Sequence, residues 1–84
     1  MSMDNLIEVK AAIAGVFYRK PSPESDPYVE VGQVVKEKQV LALLETMKVF
    51  QKIKAPVEGK VVEITAESEQ AVSLGDILFV IAPL

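Results

Sequence analysis

The sequence predicts an all-β fold built from two similar halves. Valine, isoleucine and phenylalanine occur in short runs, and turn-forming residues separate these runs along the whole chain. Even 34–44, the best candidate for a helix, is rich in β-branched residues and closely follows Gly32, which favours strands. The apolar pattern of the first half recurs in the second, and two such units can bury their apolar faces against each other.

The recurrence is found at two offsets along the chain. The match is weak residue by residue, but the apolar pattern agrees in each aligned pair. At an offset of 44 residues, 11–17 aligns with 55–61; at an offset of 37, 33–35 aligns with 70–72 and 40–44 with 77–81. The first half therefore contains seven additional residues between its glycine and its glutamine.

The additional residues lie within 19–30 and predict a protruding loop. This part of the chain is rich in polar residues and has prolines at positions 21, 23 and 27. Proline fixes φ and lacks the N–H group, so it suits a stiff loop better than a strand. We place the insertion at about 19–28. It is either a tolerated surface insertion or a functional loop, since long loops in compact domains often carry function.

The two halves meet in a predicted β-hairpin whose tip carries a lysine. Its strands are 40–44 and 49–54, and the two-residue turn between them is best formed by Met47 and Lys48. A type I′ turn requires positive φ at both positions, and neither residue favours it. This departure from turn chemistry, at the centre of the repeat, marks Lys48 as the candidate functional residue.

Alternation within the strands predicts the core. The expected inward-facing residues are Ile13, Val35, Leu41, Leu43, Ile53, Val61, Ile64, Leu78 and Val80. A one-residue slip in register would exchange the buried and exposed faces of a strand.

The composition limits the functions open to the chain. Its 84 residues are 50% hydrophobic, which predicts one small globular domain, and the net charge of −3 argues against nucleic-acid binding. The absence of cysteine and histidine removes the thiol nucleophile, the usual general base and the commonest metal ligands. No apolar run reaches the ~20 residues of a membrane span, so we expect a cytoplasmic protein without a membrane partner.

The hairpin tip and the segment after it resemble a known family of carrier domains. The sequence Glu-Thr-Met-Lys-Val at 45–49 resembles the Glu-Ala-Met-Lys-Met attachment motif of biotinyl domains. Pro56, Gly59 and Val61 resemble the Pro-x-x-Gly-x-Val segment that follows in that family. A lone Met-Lys pair would carry little weight, but its place at the centre of the repeat makes the resemblance specific.

A second resemblance indicates which group of biotinyl domains the chain is similar to. The segment 15–23 resembles the one leading into the protruding "thumb" of the biotin carboxyl carrier protein of bacterial-type acetyl-CoA carboxylase, and 31–33 and 77–78 also fit. The resemblance runs from about Glu8 to Pro83. It implies a flattened β-barrel of two four-stranded antiparallel sheets with quasi-twofold symmetry.

The same resemblance implies a domain division and a cofactor site. Residues 1–7 would form an N-terminal tail and 8–84 the carrier domain. Biotin would be attached covalently, as an amide, to Lys48, and a biotin protein ligase would recognise Met47, Glu45 and Val49. The thumb would lie close to the biotin through Pro21, Ser22, Pro23, Glu24, Ser25 and Asp26.

The implied function is that of a non-catalytic carrier. A biotin carboxylase would load the biotin with a carboxylate, and a carboxyltransferase would deliver it to acetyl-CoA for fatty acid biosynthesis. The cofactor and the partner enzymes would carry out the carboxylation and carboxyl transfer, while this domain would hold the cofactor in position. The isolated domain is expected to be monomeric.

Two departures from the family pattern leave other carriers open. Thr46 replaces the usual alanine and Val49 the usual second methionine, and Glu-Thr before the lysine also occurs in lipoyl domains. Met47 favours a biotinyl domain, because lipoyl domains typically have aspartate at this position. The alternatives are a biotin carrier of another acyl-CoA or keto-acid carboxylase, a lipoyl carrier, and an unmodified structural adaptor.

Individual residues also have simpler interpretations. Lys48 could be an ordinary solvated lysine, since an isolated lysine is usually found at the surface. Met47 could be a partly buried packing residue, because methionine fills irregular gaps. Glu45 could be an exposed carboxylate without a role.

Overall fold

Eight strands form the fold in the computed structural model, which describes residues 5–84. They are β1 (Ile7–Lys10), β2 (Gly15–Tyr18), β3 (Val34–Val35), β4 (Val40–Thr46), β5 (Val49–Lys54), β6 (Gly59–Ile64), β7 (Gln70–Val72) and β8 (Ile77–Pro83). Within 5–84 there is no α-helix, and hence none that could span a membrane. The predicted all-β class is confirmed.

The strands form two four-stranded antiparallel sheets, as expected. One sheet has the order β1-β8-β6-β3 and the other β5-β4-β2-β7. Exchanging the two halves of the chain, so that β1 takes the place of β5 and β4 that of β8, converts one order into the other. The predicted quasi-twofold symmetry is therefore present in the strand order.

The symmetry extends to individual hydrogen bonds between loops and strands. Equivalent bonds in the two halves join residues related by the offsets of 37 and 44. Gly32 N donates to Val61 O (2.7 Å), and the equivalent Glu69 N donates to Phe17 O (2.6 Å). Ala11 N donates to Asp76 O, and the equivalent Ala55 N donates to Gln39 O (both 2.9 Å). The repeat in the sequence is thus a repeat of backbone geometry.

The core lies between the sheets and is only partly the predicted one. Phe17 and Phe79 meet at its centre, with ring centroids 5.8 Å apart. Four predicted core residues are fully buried: Val35, Leu41, Val61 and Leu78. Another four are half-buried: Leu43, Ile53, Ile64 and Val80.

Irregularities in strand pairing explain why alternation missed part of the core. The β4–β5 register shifts between Val40 and Ala42, so Leu41 and Ala42 are both buried and the inward face continues through Leu44. The prediction that Leu43 faces inward was therefore wrong. The same prediction for Val80, the equivalent residue of β8, was wrong for the same reason, because the β1–β8 register shifts at Leu78. A β-bulge adds one residue to one strand and exchanges its faces beyond that point.

The prediction for Ile13 was also wrong, since its side chain is 41% exposed. Ile13 lies in the connection between β1 and β2, outside any strand. Strand alternation therefore does not apply to it. Of the predicted tail, 1–7, residues 1–4 lie outside the described residues, and β1 begins at Ile7.

Candidate functional site

The β4–β5 hairpin ends in a tight turn formed by the two predicted residues. Thr46 and Val49 are the last paired residues, which leaves Met47 and Lys48 as the two-residue turn. Their φ angles are 48° and 69°, so both adopt the left-handed conformation of a type I′ turn. The predicted turn is confirmed, although neither residue is of the type that usually occupies it.

The side chains at the tip project into solvent. Lys48 is exposed, and among the described residues none forms a hydrogen bond or ion pair with it. Met47 is 94% exposed, so the alternative that it is a partly buried packing residue is wrong. Val49 and Phe50 follow at 57% and 55% exposure. Exposed apolar side chains clustered around one amine are typical of a recognition surface.

Glu45 lies below the tip and makes a specific contact that the sequence did not predict. Its Oε1 accepts a hydrogen bond from the hydroxyl of Tyr18 on β2, with a distance of 3.1 Å between the oxygens. The Tyr18 ring also packs against that of Phe50, at 5.7 Å between centroids. Glu45 is therefore half-buried and bonded rather than a free carboxylate. The only sequence signal for Tyr18 was its place in the thumb-like segment.

The contact changes the acidity of the tyrosine. The hydrogen bond to the Glu45 carboxylate raises the pKa of Tyr18 above 10.0, with smaller contributions from burial and from the charges of Glu45 and Glu69. All of these disfavour the negatively charged phenolate. The contribution of this bond to stability is therefore fully present below about pH 10 and is lost as the pH rises through the higher folded-state pKa.

This acidity can be measured by ultraviolet titration. The chain has two tyrosines, so a Tyr28→Phe background leaves Tyr18 as the only phenol. We expect a titration midpoint above that of a free tyrosine, and a lower midpoint when Glu45→Gln removes the carboxylate charge. A midpoint that does not respond to Glu45→Gln would show that the two side chains are not bonded in solution.

The segment 19–28 forms a loop closed at its base. Tyr28 N donates to Arg19 O at 3.0 Å, and the Arg19 guanidinium donates to Val29 O at 3.1 Å. Arg19 N also donates to Ser68 Oγ at 2.8 Å, which ties the loop to the opposite half of the chain. Nε of the same arginine is buried without a hydrogen-bond partner.

An open cavity of about 380 Å³ lies between the loop and the hairpin. The loop contributes Lys20, Pro21, Ser22 and Pro23, and the remaining walls come from the hairpin and from β2 and its neighbours: Tyr18, Glu45, Phe50, Ser68 and Glu69. The structure thus brings three of the predicted thumb residues to the hairpin that carries Lys48. Glu24, Ser25 and Asp26 do not line the cavity. Ser25 instead pairs with Ser22, at 2.7 Å between the hydroxyl oxygens.

The residues present fit a cofactor joined through an amide. A primary amine on a rigid two-residue turn can be acylated without disturbing the sheets, and apolar residues surround it. No cluster of histidine, cysteine or carboxylate side chains that could hold a metal ion occurs within 5–84.

Comparison with known proteins gives related sequences and folds. At 43% identity, 94% of the chain is similar to the biotin carboxyl carrier protein of acetyl-CoA carboxylase, chloroplastic, of Glycine max, covering 30% of that protein. The biotin carboxyl carrier protein of acetyl-CoA carboxylase from Pseudomonas aeruginosa is 41% identical over 87% of the chain and 47% of its own length. The chain therefore spans less than half the length of these relatives.

Solved structures share the fold. A single-chain, multi-domain long-chain acyl-CoA carboxylase matches all of the chain with a TM-score of 0.82 at 21% identity, over 8% of its own length. The urea carboxylase of Kluyveromyces lactis matches 98% of the chain with a TM-score of 0.80 at 24% identity, over 7% of its own length. Residues 7–81 match the biotin–lipoyl family model, which is described as "Biotin-requiring enzyme". The chain therefore belongs to this biotin-requiring family.

Proposed function

We propose that this chain is the biotin carrier of an acetyl-CoA carboxylase, with biotin joined to Lys48 by an amide bond. The observation that carries the proposal is the position of Lys48, exposed at the tip of a type I′ turn in a domain of the biotin-requiring family. The names of the relatives support acetyl-CoA as the substrate of the complete enzyme. The thumb-like loop supports the same assignment.

The chain itself contributes presentation rather than chemistry. The Lys48 amine attacks an activated biotinyl carbonyl, and the ligase accepts the proton that the nitrogen loses. The amide forms as the activating group leaves. Bound biotin supplies a ureido nitrogen that can carry a carboxylate between two active sites.

The turn geometry makes this presentation precise. Type I′ turns match the right-handed twist of the flanking strands, so Lys48 leaves the sheet in a fixed direction. Placing a reactive group on a strand hairpin is more exact than placing it on a loop. A biotin protein ligase, a biotin carboxylase and a carboxyltransferase could each receive the same tip in turn.

The buried position of Thr46 weakens the lipoyl alternative. Thr46 was the residue that favoured it, yet its side chain is buried beneath the hairpin. A ligase that reads the surface of the tip meets Met47 and Val49 instead. The more informative position for recognition is therefore Met47, which follows the biotinyl pattern.

The proposal is tested by the intact mass of the protein after incubation with ATP, a cofactor and a ligase. We expect one biotinyl group per chain with biotin and a biotin ligase, and no adduct with lipoate and a lipoate ligase. A folded protein that accepts lipoate but not biotin would replace this proposal by the lipoyl one. A protein that accepts neither would point to the structural adaptor.

Shortening the thumb separates folding from function. Removing 21–26 leaves Lys20 and Pro27 to connect Arg19 and Tyr28, whose backbone hydrogen bond already closes the loop. We expect an unchanged circular dichroism spectrum and normal biotinylation. We also expect carboxyl transfer to acetyl-CoA to fall at least about tenfold, because small losses of positioning are costly for rate. Loss of folding in the deletion would instead make the loop a structural element.

A further inference from the structure

The contact between Tyr18, Glu45 and Phe50 lies on the outer face of the sheet that carries Lys48. Tyr18 is paired with Leu43 on β4, so Glu45, two residues further, is its diagonal neighbour on the same face. Phe50 is directly opposite Glu45 on β5. Side chains in direct and diagonal positions of neighbouring strands are close enough to interact. The carboxylate is therefore flanked by two aromatic rings.

This contact joins the two elements on either side of the cavity. Tyr18 is the last residue of β2 and immediately precedes the thumb loop. Glu45 and Phe50 form the second residue pair below the turn of the hairpin. Glu45 is three residues before Lys48. Its orientation is fixed by a hydrogen bond from an element distant in sequence rather than by the turn alone.

The quasi-twofold symmetry provides an internal comparison for this contact. The positions equivalent to Tyr18 and Glu45 in the second half are Val62 and Ala82, on β6 and β8. Ala82 pairs with Lys60, and the β6–β8 register shifts at Val62, so neither a hydroxyl nor a carboxylate links the two strands at these positions. Building the sheet therefore does not require the pair, and it is present only in the half whose hairpin carries the lysine.

We propose that Tyr18 is a positioning residue for the modification of Lys48: its hydroxyl holds the Glu45 carboxylate, and its ring holds Phe50, in the arrangement that a biotin ligase reads. The inference rests on the proposed function, because it requires Lys48 to be the biotinylated residue. Without the hydroxyl, Glu45 samples other rotamers, and the ligase must order it at each encounter. The loss should therefore appear in binding of the carrier more than in the rate of amide formation.

The test is steady-state biotinylation with the carrier concentration varied. Tyr18→Phe keeps the ring and removes only the hydroxyl. We expect KM for the carrier to rise about fivefold, the effect of losing one hydrogen bond of typical net strength, with kcat within about twofold of wild type. Tyr28→Phe is the matched control: it removes a hydroxyl from the other tyrosine, away from Glu45, and should leave both constants unchanged.

A double-mutant cycle separates positioning from general stability. If Tyr18 acts through Glu45, then adding Tyr18→Phe to Glu45→Ala should change KM no further. A fivefold effect that persists in the Glu45→Ala background would overturn the proposal, as would unchanged KM in a folded Tyr18→Phe protein. Absence of biotinylation in the wild type as well would instead contradict the proposed function. Circular dichroism of each variant identifies those that fail to fold. A Tyr18→Phe protein that fails to fold would show that the tyrosine is a structural residue, and this result would also overturn the proposal.

Discussion

Replacing Lys48 by arginine is expected to abolish biotinylation completely. Arginine keeps the positive charge and the length of the side chain, but its guanidinium stays protonated and does not serve as an acyl acceptor. Because Lys48 makes no hydrogen bond or ion pair with any other residue of 5–84, the substitution should not change stability. The measurement is the intact mass after treatment with biotin, ATP and ligase.

A matched control for this experiment is available on the same hairpin. Lys52 is also exposed, but it lies within β5, in the ladder with Leu43, rather than in the turn. Lys52→Arg should therefore accept one biotinyl group at the wild-type rate. An adduct on the Lys48→Arg protein would mean that the ligase selects another lysine and that the turn does not direct biotinylation.

The second large effect is expected at Gly59, where the structure has no room for a side chain. A Cβ atom there would lie 2.7 Å from Cγ2 of Ile81 and 2.9 Å from the carbonyl carbon of Ala82, and would also meet the Ala82 oxygen. Two of these atoms belong to the backbone of β8, which pairs with β6. Gly59→Ala must therefore push two central strands apart.

We expect Gly59→Ala to reduce the free energy of unfolding by roughly 3 kcal/mol, the upper range for overpacking in a core. In a domain of this size that corresponds to a fall in Tm of more than about 10 °C, measured by thermal unfolding. Gly75→Asn is the control. Gly75 has positive φ (90°), nothing lies within 4 Å of its Cβ position, and its equivalent in the other half, Lys38, adopts φ 70°.

The control substitution should cost no more than about 1 kcal/mol, because asparagine tolerates the left-handed conformation. A Gly59→Ala protein that melts within a few degrees of wild type would show that β6 and β8 separate easily. Gly15, the equivalent glycine in the first half, is equally enclosed: its Cβ would lie 2.5 Å from the Glu45 oxygen. The close approach is thus a feature of both halves.

The fold class, the repeat and the turn at Met47 and Lys48 can all be predicted from the amino-acid sequence. These features are local: alternation with period two, glycine and proline at turns, and two aligned halves can all be recognised without knowledge of long-range contacts. The attachment motif is equally local. For this reason Lys48, the most important residue of the candidate site, can be identified from the sequence.

The set of buried residues and the surroundings of the hairpin depend instead on how the strands pair. The register shift at the start of β4 placed Leu44 rather than Leu43 in the core, and strand alternation cannot reveal such a shift. Tyr18 and Glu45 are 27 residues apart, and their hydrogen bond depends on the pairing of β2 with β4. The cavity beside the thumb depends on the same pairing. Contacts of this kind arise from the relative positions of strands, which a single sequence does not contain.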